Sequence, residues 1–166
     1  MGSLEKLDVD PRHGEFVDFL DKNRGARDFV DYKALNLMSI PHLIPNLWVL
    51  DFRNGIENGL VIQFSGSKID EAFGENLMGK NLEDVFQGHP KDEMMNAYKS
   101  VYTRKQAVFI SRSDYYENRG VQSLRKIKVL LYPCSTNDVD INYCVGLTTY
   151  TFVEGEAPSD LSITYL

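Results

Sequence analysis

Cysteine and tryptophan are nearly missing from this 166-residue chain, with two of the first and one of the second, and histidine occurs three times. Two cysteines cannot form the framework of a disulfide-stapled secreted domain. Cys134 and Cys144 flank a turn expected at Ser135 to Asp138, and counting outward from it leaves them out of register, so two free, buried thiols are expected. His13, His42 and His89 are scattered, with no second ligand at metal spacing, so no metal site is expected. Basic charge is short as well. Eighteen Lys and Arg against 24 Asp and Glu leave a net charge of −6, which argues against nucleic acid, because phosphate binding needs a concentrated basic face. The nearest such cluster, Arg125, Lys126 and Lys128, is interleaved with Ile127 and Val129 and reads as the solvated face of a strand. No apolar run approaches the roughly 20 residues of a membrane span. Residues Met1 to Pro11 lack the basic and apolar regions of a signal peptide, so a cytoplasmic location is expected. Neither a nucleophile elbow nor a phosphate loop ending in Gly-Lys-Ser/Thr is present. The acidic neighbours Glu83-Asp84 and Asp92-Glu93 point apart on a helix and read as solvated faces. No catalytic residue is assigned.

What is present is an ordinary globular composition, 43% hydrophobic and 25% charged, in a chain of one-domain length. The densest pattern runs from Gly66 to Phe86, where Gly66, Gly74 and Gly79 punctuate short apolar groups after a strand-like run, Leu60 to Phe64. Ser67 is expected to cap a short helix with Asp70 as its capping-box partner. Ile69, Ala72 and Phe73 then share a face, and Gly74 suits the left-handed position after the helix. Leu82, Val85 and Phe86 repeat the pattern. Helices this short do not stand alone in water, so they are expected to be pinned over a sheet.

Ahead of this block, Glu15 to Asn23 and Arg27 to Met38 read as two helical segments, stopped by Pro41 and Pro45. Their apolar residues must cover the back of the sheet, meet a second copy, or both. Leu47 to Arg53 and Gly59 to Ser65 form a hairpin across Asn54-Gly55 and Asn58-Gly59. Pro90 opens a longer helix to about Lys105, with Met94, Tyr98, Val101 and Tyr102 as its apolar stripe. Ala107 to Tyr116, Ser123 to Tyr132 and Val139 to Phe152 read as a three-stranded meander. The crossover returns these beside the first hairpin, which predicts an α+β fold: a five-stranded antiparallel sheet, helices over one face, and an N-terminal helical arm. The boundaries expected are 1–40 for the extension, 41–153 for the domain and 154–166 for the tail.

The glycine-punctuated block, ending Met-Gly-Lys-x-Leu-x-x-Val-Phe, resembles the core of a PAS domain. With Leu43-Ile44-Pro45-Asn46-Leu47-Trp48-Val49-Leu50-Asp51-Phe52 before it, the chain is similar to single-domain PAS-like bacterial proteins with a helical N-terminal extension and no output domain. The resemblance covers about Asp28 to Phe152. It implies a sensory or interaction module without catalysis, acting as a homodimer or through a signalling partner. The pocket candidates are Phe64, Ile69, Phe73, Val85, Phe86, Tyr98, Val101, Phe109, Ile127 and Val129, with Gln63 and Tyr98 as polar groups, for a small apolar or amphipathic ligand. Phe16, Leu20, Phe29 and Val30 are the dimer candidates. Some relatives hold haem through a histidine near the long helix, but His89 beside Gly88 and Pro90 reads as an exposed turn. Flavin-binding relatives carry a reactive cysteine in a stretch that here reads Asn81-Leu82-Glu83-Asp84-Val85-Phe86. Neither haem nor flavin is expected. The competing readings are a cone-fold isomerase or dehydratase, which needs a carboxylate–histidine or carboxylate–tyrosine pair, and a purely structural dimerisation module with a filled core.

Overall fold

The computed structural model describes residues 4–86, 91–154 and 161–166. Helix α1 (Pro11–Arg24) starts where Asp10 accepts the Arg12 N–H and Pro11 occupies the first turn, and it stops at Gly25, φ +58°. Strand β1 (Val30–Asp31) follows, then three single 3-10 turns at Tyr32–Ala34, Leu37–Ser39 and Ile44–Asn46. Next come β2 (Leu47–Asp51), β3 (Val61–Ser65), α2 (Ser67–Phe73), α3 (Leu82–Val85) and α4 (Lys91–Arg104). The chain closes with β4 (Val108–Asn118), β5 (Val121–Ser135), β6 (Tyr143–Val153) and β7 (Ser162–Tyr165).

The expected five-stranded sheet with helices over one face is corrected on both counts. Among the described residues the sheet has seven strands, in the order β3-β2-β6-β5-β4-β7, with β1 running parallel to the end of β5 and every other pair antiparallel. Strand β4 pairs with β5 only as far as Leu131, which leaves Cys134 and Ser135 open on that side, and Val30 and Asp31 fill the gap. Strand β7, from the segment read as a tail, covers Val108 to Ser111 of β4. Open backbone donors and acceptors at a sheet edge favour such additions.

Helices lie on both faces because both faces of the central strands are apolar. Leu47, Val49, Phe109, Leu130, Tyr132, Val145 and Leu147 meet Phe16, Val17 and Leu20 of α1. The alternate residues, Trp48, Leu50, Val108, Ile110, Ile127 and Val129, meet α2, α3 and α4. Of the four dimer candidates, Phe16, Leu20 and Val30 are therefore buried against their own sheet, and Phe29 is partly buried beside it. The segment 27–38 is not a helix. The Asp31 carboxylate accepts the Lys33 N–H and opens a turn, the local competition that disfavours helix at Asx residues. Register also explains the cysteines: Cys134 lies on the α1 side, Cys144 on the other, and both are free and buried.

His13 of α1 is fully buried beneath the sheet, edge-on to Phe109, with Nε2 3.3 Å from the Lys128 carbonyl and Nδ1 unpartnered. Burial pushes its pKa below the usual 6.5, outweighing the Lys128 carbonyl and Asp10. The unfolded chain thus takes up the proton first. Stability is expected to be complete above about pH 6.5 and to decline as pH falls below it. Asp10, held at about 2 by the Arg12 guanidinium, loses its contribution only further down, between 3.8 and that value. Urea midpoints at pH 8, 6.5 and 5.5 should show the first decline, and His13→Gln should flatten it.

Candidate functional site

On the face covered by α2–α4, side chains line up in rows across β4, β5 and β6. Ile110, Val129 and Thr148 form one row, Arg112, Ile127 and Tyr150 the next, and Asp114, Arg125 and Phe152 the outermost. Trp48 of β2 lies beside Gly146. A Cβ at Gly146 would come within 2.4 Å of Trp48 Nε1, so the bare glycine is what lets the indole lie there. The Trp48 ring meets Tyr98 of α4 edge-on at 5.1 Å, and Phe86 lies 5.6 Å from Tyr98 and 6.0 Å from Phe73.

The short helices are positioned by more than their own caps. Asp70 is not a capping-box partner; its carboxylate accepts the Ser65 hydroxyl at 2.6 Å and the Leu77 N–H at 3.1 Å, tying β3 to the loop after α2. Gly66, with no side chain to offer, is the N-cap, while Gly74 takes the left-handed conformation, φ +75°, as its position predicts. Asn81 caps α3 by accepting the Glu83 N–H.

Ile69, Phe73, Phe86, Tyr98, Ile127 and Val129 line one space beneath these helices, with Val85 and Val101 in the same apolar cluster. Phe64 and Phe109 do not. Phe64 pairs with Val49 and Phe109 with Leu130, residues of the α1 side, and Gln63 is exposed. Side-chain period two across a sheet makes that assignment strict. The space itself is nearly full, with a void of about 10 Å³, room for a single water at most.

Residues not anticipated from sequence carry its polarity. Trp48 and Thr148 are each 3% exposed, yet among the described residues Trp48 Nε1 and Thr148 Oγ1 have no partner, nor does Arg112 Nε. All three residues border the void. Arg112 reaches Asp114 only at 3.6 Å, whereas Arg125 grips Asp114 with two bonds of 2.9 and 2.8 Å. The Arg125 guanidinium lies 5.0 Å from both the Tyr116 and Tyr150 rings. Burial pushes the Tyr150 phenol up to about 12 against the pull of Arg125 and Arg112, and raises Tyr98 well above its ordinary value. Both phenols are neutral donors at physiological pH. The signal for these residues was in the alternation: Val108-x-Ile110-x-Arg112-x-Asp114 carries charge onto the face that its apolar members bury.

Tyr150 also borders an open cleft of about 370 Å³ shared by Arg12, Lys68, Glu71 and Arg125. His42 does form a carboxylate–histidine pair, with Glu15 at 2.6 Å, but both side chains are about half exposed and outside this space. His89 and Pro90 lie outside the described residues. Among the described residues no group of three His, Cys, Asp or Glu side chains could hold a metal, and no helix is long and apolar enough to cross a membrane. The chain matches no model of a known protein family, and no curated protein matches it.

Proposed function

We propose that the protein is a cytoplasmic sensory module related to PAS domains, which binds a small ligand beneath α2–α4 and signals by protein contact, without catalysis. The observation that supports this most is the ring of unpartnered polar atoms on Trp48, Thr148 and Arg112 around one void in a filled core. Interiors pair such groups almost always, and each unmade bond costs about 1–3 kcal/mol. A core shaped only for stability would hold apolar side chains there. Helices α2 and α3, of seven and four residues, have little stability of their own. A ligand that prefers them displaced shifts the population accordingly. The change has a short route to the opposite face, since Trp48 lies between Leu47 and Val49, which pack on the α1 side. The signal then leaves through a homodimer or a signalling partner, over surface other than Phe16, Leu20 and Val30.

Native mass spectrometry of the protein purified from its own host tests this reading: a retained small molecule is expected, and an empty protein that binds nothing added would count against it. Thr148→Val adds a second measurement. Removing a buried, unpartnered hydroxyl while keeping its shape should stabilise the unliganded protein by about 1 kcal/mol while reducing ligand retention.

A further inference from the structure

We infer that the space beneath α2–α4 takes the carboxylate of a small organic acid, whose apolar body lies among Phe73, Phe86 and Tyr98. This rests on the sensory role proposed for the same site and adds the chemistry of the ligand. Trp48 Nε1–H and Arg112 Nε–H can only donate, and the Thr148 hydroxyl can donate as well, so what the described residues do not supply around the void is an acceptor. Trp48 and Thr148 are more than nine-tenths buried, which leaves them no bulk water to turn to.

The charges agree. Around the void and the adjoining cleft, Arg12 pairs with Asp10 at 2.9 Å, Lys68 with Glu71 at 3.2 Å, and Arg125 with Asp114 at 2.8 Å. Arg12, Lys68, Arg112 and Arg125 thus face Asp10, Glu71 and Asp114, which leaves one positive charge, that of Arg112, held only at 3.6 Å. One anionic group balances the set, and a carboxylate fits a guanidinium in plane. The apolar side of the space, Ile69, Phe73, Phe86, Met94, Ile127 and Val129, asks for a hydrocarbon or aromatic body attached to that group. With a void of about 10 Å³ the space holds no more than a water as it stands, so a larger ligand needs the side chains around it to move.

Trp48 is the sole tryptophan, so its emission reports this site in the unmodified full chain. Titration with sodium phenylacetate, and in parallel with its neutral analogue 2-phenylethanol, separates charge recognition from apolar binding. A saturable change with phenylacetate, at an affinity at least about tenfold above the alcohol, is expected for one charge-assisted bond. Arg112→Gln should abolish that preference, weakening phenylacetate far more than the alcohol. Thr148→Val, which preserves side-chain shape, should weaken phenylacetate more than the alcohol and keeps the test valid if Arg112→Gln does not fold. Equal affinities for acid and alcohol would overturn the inference and leave the sensory role standing. No response to either probe, together with no molecule retained from the host, would mean that the donors hold only water, and both proposals would fall.

Discussion

Gly66→Ala is expected to destabilise the protein by about 3 kcal/mol or more, the upper range for an overpacked interior site. A Cβ there would lie 2.2 Å from the Ile44 carbonyl oxygen, 2.4 Å from that of Pro45 and 2.5 Å from the Pro45 carbonyl carbon. All three are backbone atoms, so no side chain can turn aside. The turn that holds them is itself pinned: Gly66 N–H donates to Leu47 O at 2.8 Å, and Asn46 Nδ2 donates to Thr148 O at 2.8 Å. Moving it would displace Leu47 and Trp48, which follow directly. Gly74→Ala is the comparison. Its φ of +75° costs about 1 kcal/mol in a residue with a Cβ, but nothing lies within 4 Å of that atom. Urea denaturation followed by tryptophan emission should separate the two variants. Equal losses would show that the Ile44–Asn46 turn does not press on Gly66 in solution.

Phe16→Ala is expected to cost about 3–5 kcal/mol, as for a large aromatic removed from a filled interior. Phe16 is fully buried on α1 among Val17, Leu20 and the residues of the sheet's second face. Phe19→Ala, at a partly buried position of the same helix, should cost much less. Light scattering on both variants adds the functional point, since a helix docked on its own sheet can be damaged without changing the number of subunits. A Phe16→Ala protein with full stability but a smaller assembly would instead place the arm at a dimer interface, with α1 no longer docked on its own sheet.

Much of the element pattern was legible because local chemistry governs it. The Asn-Gly pairs separate β2 from β3, Gly74 ends α2, and the Met94, Tyr98, Val101 stripe marks the buried side of α4. Val30-Asp31 and Ser162 to Tyr165 are too short to carry a strand signal of their own. Two to four residues make a strand only when an open edge receives them, and those edges exist because β5 outruns β4 and because the far side of β4 has no other strand beside it. Of the pocket candidates, those on α2, α3, α4 and β5 lie on one side of the sheet, while Phe64 and Phe109 lie on the other. Both alternations along these strands are apolar, so parity could not be read from hydrophobicity.

By itself, then, the order of residues determined roughly where α2–α4 and the longer strands lie and which glycines end helices. Those are properties of neighbours within a turn or two. Only tertiary structure decided that the sheet has seven strands, that α1 lies opposite α2–α4, and that Trp48, Arg112 and Thr148 meet with their donors unanswered. The reason is physical: edge pairing, the choice of face and an unmade hydrogen bond depend on partners far away in the chain, as distant as Asn46 and Thr148.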